Sequence, residues 1–192
     1  DLVLGVTQVM NRNTVVQLNY SYSDSSGYLS DPYKIISVVD EITGDAVPRT
    51  SAPGVDGPSH QFLFDGRPDE RVKHSLYAQA KHFMNGKVLD GSYRYMTDDW
   101  GIDSHTLDFR LRWPLGGDRY LEPHLRYYTQ TEADFYTPSL VEGQALPAFA
   151  SSDYRLGDFD GITAGLKYGW TTRNDHDFSI RLELYQQRGD IA

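Results

Sequence analysis

Cysteine is absent from all 192 positions. That rules out a disulfide scaffold and any thiolate metal site. Long apolar runs are missing as well. No stretch approaches the roughly 18 apolar residues that a membrane-crossing helix needs. A membrane barrel is not excluded, because its strands need only about 9–11 alternating residues. There is no basic block, and the net charge is −9, which argues against a nucleic-acid partner. No Gly-x-Ser-x-Gly occurs, and His60, His74, His82 and His176 show no metal-ligand spacing. What the chain does have is 14 Tyr and 3 Trp. Rings at this density suit the aromatic girdles of outer-membrane barrels, although Tyr is also simply a good strand residue.

The dominant pattern has a period of two. In Arg71–Met84 the apolar residues Val72, Leu76, Ala78, Ala80 and Met84 alternate with Arg71, Lys73, Ser75, Gln79 and Lys81. After Asn85-Gly86-Lys87, Leu89, Gly91, Tyr93 and Tyr95 alternate with Asp90, Ser92 and Arg94. His105–Leu115 and Leu121–Tyr127 follow the same rule, with Gly116-Gly117-Asp118 between them. No helix fits this spacing. Further strands are expected over Leu2–Met10, Thr14–Ser23, Asp160–Thr171 and Asp177–Gln187. Residues Tyr33–Val39 are expected to extend a strand or to pair with Val47.

The connections alternate in kind. Short turns fall at 11–13, 85–87, 116–118 and 173–175, and longer links at 24–70, 97–103 and 130–159. Short turns on one rim and long loops on the other are the habit of outer-membrane barrels, with the long loops extracellular. The expected fold is therefore all-β, an antiparallel up-and-down transmembrane barrel with about eight strands covered. Both terminal strands would meet the long-loop rim, so strands are expected before Asp1 and after Ala192. No signal peptide is visible at Asp1. The rings Phe135, Tyr136 and Tyr154 of the last long link are expected to fold inward. Trp100, Trp113, Trp170, Tyr120, Tyr127, Tyr128 and Tyr168 fall near strand ends, where a girdle would lie.

The strand phase sorts the side chains into two sets. Val16, Leu18, Tyr20, Leu107, Phe109, Leu111, Leu166 and Leu182 are expected to face lipid. Arg94, Asp108, Arg110, Arg112, Glu122, His124, Arg126, Lys167, Arg181 and Glu183, with Lys73, Lys81 and Asp90, are expected to line the lumen. Such a lining either conducts, with a bias toward anions, or fills a narrow lumen with neutralising pairs. Asp98, Asp99, Asp103 and His105 offer hard ligands but match no calcium loop, and acidic turns are common; the same holds for Asp153, Asp158 and Asp160. Ser104-His105 and Ser151 with Asp153 invite a hydrolase reading, but no triad can be assigned from residue types alone.

Several phrases resemble an uncharacterised bacterial family of outer-membrane β-barrels, found mainly in proteobacteria and known only as a domain of unknown function. They include Val9-Met10-Asn11-Arg12-Asn13-Thr14, Ser26-Gly27-Tyr28-Leu29-Ser30-Asp31-Pro32-Tyr33-Lys34, Asp98-Asp99-Trp100-Gly101-Ile102 and Ser151-Ser152-Asp153-Tyr154-Arg155-Leu156. The resemblance implies a longer parent chain and a Gram-negative outer-membrane location. It also implies a porin-like barrel in a redox-linked envelope system. It implies no reaction and no cofactor. The function expected is thus a channel, or a scaffold for a periplasmic or surface protein partner, embedded in outer-membrane lipid. The alternatives are a barrel hydrolase and a soluble β-sandwich binding module.

Overall fold

The computed structural model describes residues 1–49 and 60–189. Pro53 and Pro58 of the first long connection lie outside the described residues, as do Asp190-Ile191-Ala192. In chain order the strands are β1 (Leu2–Asn11), β2 (Thr14–Ser26), β3 (Ile35–Val39), β4 (Phe62–Phe64), β5 (Glu70–Met84) and β6 (Lys87–Asp98). They continue with β7 (Asp103–Pro114), β8 (Arg119–Gln130), β9 (Ser139–Val141), β10 (Phe159–Thr171) and β11 (Asp177–Gly189). One turn of 3-10 helix, Tyr154–Leu156, precedes β10.

Eight long strands form one antiparallel sheet in the order β1-β2-β5-β6-β7-β8-β10-β11. Once β3, β4 and β9 are set aside, every strand lies beside its sequence neighbour, which is an up-and-down meander. The sheet is open, and β1 and β11 each have a single neighbour. The period-two segments became strands because successive side chains in a strand point to opposite faces. Strand ends run beyond the alternation where a partner reaches them. β2 continues to Ser26 because Ser23–Ser26 pair with Lys73–Glu70. The two-residue hairpin β5–β6 turns on Asn85 (φ 50°) and Gly86 (φ 80°) between the paired Met84 and Lys87. Two consecutive positive φ values define the primed turn that Asn-Gly favours.

The three short strands form a separate sheet in the order β4-β3-β9. It joins the two long connections. β3 pairs antiparallel with β4 and parallel with β9, placing Ser37 opposite Ser139. The apolar piece ending at Val39 also bonds Val47, whose N–H donates to the Val38 carbonyl at 2.9 Å. Ile36, Val38 and Val47 are buried there. A second cluster, Trp100, Ile102, Ala133 and Leu156, packs with Leu29, Met96, Phe135 and Tyr136 at the same end of the large sheet.

Four ring assignments are corrected by this packing. Trp100 is buried in the second cluster, where its indole N–H donates to the Glu70 carbonyl and Arg71 lies over its ring. It serves as a rim core residue. Tyr120 and Tyr128 fall on the charged face, because Tyr120 opposes Gly169 and Tyr128 opposes Thr106. Phe135 and Tyr136 pack inward, but Tyr154 stays 62% exposed with Lys34 over its ring.

Neither face of the large sheet carries a second layer among the described residues. Many of its apolar side chains are exposed, among them Leu107 at 39% and Leu184 at 71%. A soluble sandwich would bury this face against another sheet.

Candidate functional site: the charged face of the sheet

Register assigns each side chain to a face. One row reads Ser92, Asp108, Arg126, Thr163 and Tyr185 across β6, β7, β8, β10 and β11. The row on one side reads Asp90, Arg110, His124, Gly165 and Glu183, and on the other Arg94 opposes Thr106. Glu122, Lys167 and Arg181 form a further row. All the expected lumen residues, Arg94, Asp108, Arg110, Arg112, Glu122, His124, Arg126, Lys167, Arg181 and Glu183, therefore share one face. Val16, Leu18, Tyr20, Leu107, Phe109, Leu111, Leu166 and Leu182 share the other, since opposed residues of neighbouring strands lie on the same side.

The acids on the charged face are all engaged. Asp90 takes Lys81 at 3.4 Å and the Gln79 amide at 2.7 Å. Asp108 takes Arg110 at 3.3 Å and His124 Nε2 at 2.9 Å. Glu183 meets His124 Nδ1 at 3.0 Å and Arg181 at 3.6 Å, and Arg181 also reaches Glu122 at 3.8 Å. Through its two ring nitrogens His124 thus bridges Asp108 on β7 and Glu183 on β11. The cations are not all engaged. Among the described residues Arg94, Arg112, Arg126 and Lys167 have no carboxylate within 4.0 Å. Arg94 lies over the Tyr77 ring and Arg112 over the Tyr120 ring, at 5.4 and 3.8 Å. A chain of net charge −9 thus presents a cationic surplus on this face.

Two glycines make that arrangement possible. A Cβ on Gly165 would meet Glu183 Cγ at 2.8 Å, and one on Gly169 would enter the Tyr120 ring. Without them Glu183 could not reach His124, and Tyr120 could not lie flat beneath Arg112 and Lys167.

At the long-connection end a buried carboxylate organises the cap. The Asp153 side chain is 1% exposed and accepts from Arg67 at 2.9 Å and from Arg155. Arg67 also donates to Asp65 at 2.8 Å, and Lys34 stands 4.0 Å from Asp153. Burial alone would push the Asp153 carboxyl up. Hydrogen bonds from Arg155 and Arg67 outweigh it and hold the group at about 2. Gly66 and Ala150 exchange two backbone bonds of 2.9 Å beside it. The sequence offers Asp153 beside Ser151 as a hydrolase fragment and with Asp158 and Asp160 as an acidic cluster, and neither reading marks it as an ion-pair centre. Its partner Arg67 is 86 residues away, and no local pattern marks the pair.

The hydrolase candidates separate in space. Ser104 and His105 are successive residues of β7, so they point to opposite faces. His105 bonds the Tyr93 hydroxyl at 2.6 Å instead. Ser151 is fully buried and accepts from the Asp153 N–H. Ser37 and His60 in the cap do lie 3.2 Å apart, but no carboxylate bonds His60 among the described residues. The acidic turn is structural: Asp98 binds Arg71 and accepts the N–H groups of Trp100 and Ile102. No group of metal-holding side chains occurs among the described residues.

The model of the family described as "Protein of unknown function (DUF3570)" matches residues 1–191. The chain belongs to the DUF3570 family. Among solved structures this DUF3570 chain is similar to OmpT, an outer membrane protein of Vibrio cholerae, in its in-vitro folded trimer form. The TM-score is 0.55 at 9% identity, and the match covers 97% of this chain and 45% of that one. The all-β fold of this chain thus resembles the wall of an outer-membrane β-barrel, and the chain spans less than half the length of that neighbour. No curated protein matches it significantly.

Proposed function

We propose that this chain forms part of the wall of a porin-like channel in a Gram-negative outer membrane, with its charged face toward the lumen and a preference for anions. The observation that carries the reading is the asymmetry of the charged face. Asp90, Asp108, Glu122 and Glu183 are all ion-paired, while Arg94, Arg112, Arg126 and Lys167 are left over. An unneutralised cationic lining favours anions.

The apolar face supports lipid as its partner. On its long-connection side tyrosines bond the next strand's polar groups, Tyr20 to His74, Tyr93 to His105 and Tyr127 to Asp160. On its short-turn side Tyr168, Trp170 and Phe178 stack, and Lys87 lies over Trp113. Asp160 and Tyr168 on β10 are separated by about 27 Å of strand. At a tilt of about 40° that is roughly 20 Å of height, near the apolar band of such barrels. The long connections, 24–70 and 130–159, then form the extracellular side.

The test is the reversal potential of the intact protein in a planar bilayer under a potassium chloride gradient. Its sign is expected to show chloride favoured over potassium, and Arg112→Gln is expected to reduce the preference. A cation preference, or no conductance from folded protein, would remove this reading.

A further inference from the structure

We propose that the channel wall contains a discrete binding site for a small dianionic solute, its two negative charges borne by phosphate or carboxylate oxygens, centred on Arg94 and Arg126. The proposal rests on the lumen assignment above and deepens it: the surplus charge converges at one recess. That recess holds about 280 Å³ and is lined by Arg94, Arg110 and Arg126, with Asp90, Asp108 and neutral donors around them.

Register explains the convergence. Arg94 on β6 opposes Thr106 on β7, and Arg126 on β8 opposes Asp108 on β7. The two arginines therefore flank β7 from either side, one row apart, roughly 12 Å between their backbones. Arg110 stands on β7 itself, diagonal to Arg126 through its partner His124. Three arginines thus form a triangle on three consecutive strands.

The acids inside the triangle do not close it. Asp90 is engaged by Lys81 and Gln79, and Asp108 by Arg110 and His124. Arg94 and Arg126 have neither a carboxylate within 4.0 Å nor a side-chain hydrogen bond among the described residues. Arg110 is held against Asp108 through its enclosed Nε, so the open donors are those of Arg94 and Arg126. Unfilled guanidinium donors facing one recess suit an oxyanion, because their planar forks bind carboxylate or phosphate oxygens in pairs. Gln79, Ser92 and Thr106 line the same recess and offer neutral donors to the rest of the solute. The recess is larger than one oxyanion group, so it admits a solute body as well.

Inorganic phosphate and malonate are the probes, titrated calorimetrically into the intact protein folded in detergent, with the reversal potential measured in parallel. Saturable binding of either probe is expected, and which one binds identifies the oxyanion. Arg94→Gln with Arg126→Gln is expected to weaken it by about tenfold per guanidinium. Arg112→Gln, on the same face outside the recess, is expected to leave this affinity in place. Retained heat-dependent gel mobility reports that the variants fold. Conservative replacement of both residues by Lys, which keeps charge without the fork, is expected to recover only part of the affinity. An anion-selective channel that binds neither probe saturably sinks the site and leaves the channel reading standing. Binding without conductance does the reverse. Equal weakening by Arg112→Gln would mean a diffuse field, and the discrete site would be wrong.

Discussion

At Asp153 burial and ion pairing oppose each other, and pairing wins. A carboxyl held at about 2 in the folded cap titrates near its ordinary 3.8 when the cap opens. Its stabilising contribution is therefore complete above about pH 4 and disappears as the pH falls toward 2. The difference amounts to roughly 2 kcal/mol. Hydrogen exchange at the Gly66 and Ala150 amides, corrected for intrinsic rates, is expected to lose protection over that window. Asp153→Asn is expected to lose it already at pH 7. On the opposite face Phe109 is 47% exposed with no protein layer over it. Phe109→Arg is expected to cost roughly 2–4 kcal/mol in denaturant unfolding from lipid vesicles, as a charge near the midplane does. A neutral effect would mean that Phe109 does not face lipid. Of these two residues only Phe109 was readable in sequence, because its role follows from strand phase. Asp153 acts through a residue in another connection, and nothing in Ser-Ser-Asp shows that.

Strands are where sequence and structure agree most closely, since a face is set by alternation and a hairpin by its turn residues. Asn85-Gly86 encodes its turn locally. β3 was legible as the apolar piece Tyr33–Val39 with its Val47 partner, but β4 and β9 encode almost nothing: β9 is Ser-Leu-Val, three residues with no room for a period. Its pairing with β3 depends on the wall that brings the two connections together. Phase alone also fails to tell a girdle ring from a lumen ring. Tyr120 and Tyr127 differ by an odd number of positions, so only one of them can share the lipid face. β10 shows how one element shapes the face next to it. Gly169→Val is expected to displace the Tyr120 ring and with it the seats of Arg112 and Lys167. The cost is expected at about 1–3 kcal/mol, the range for overpacking, read as a lower denaturant midpoint with a changed near-ultraviolet signal. An unchanged tyrosine signal would place Tyr120 elsewhere.

At the scale of the molecule, antiparallel order forces the four hairpin turns to one end and the longer links to the other. That alternation was legible from link lengths alone, whereas the folding of the long links into one cap was not. Protease added to intact cells is expected to cut the exposed turn near Ile42, which is 93% exposed, and to spare the strands. Cutting at 85–87 or 116–118 as readily, and only after the outer membrane is permeabilised, would invert the orientation. The parallel contact between β3 and β9 adds a constraint of timing. Ser37 meets Ser139 across about a hundred residues that contain β5 to β8, and contacts so distant in sequence form late. β3 can pair with β4 and Val47 inside its own connection, but its other edge gains β9 only once β5 to β8 lie between the two connections. That edge is therefore a report on assembly: it is covered only when the intervening wall has been built in the correct order.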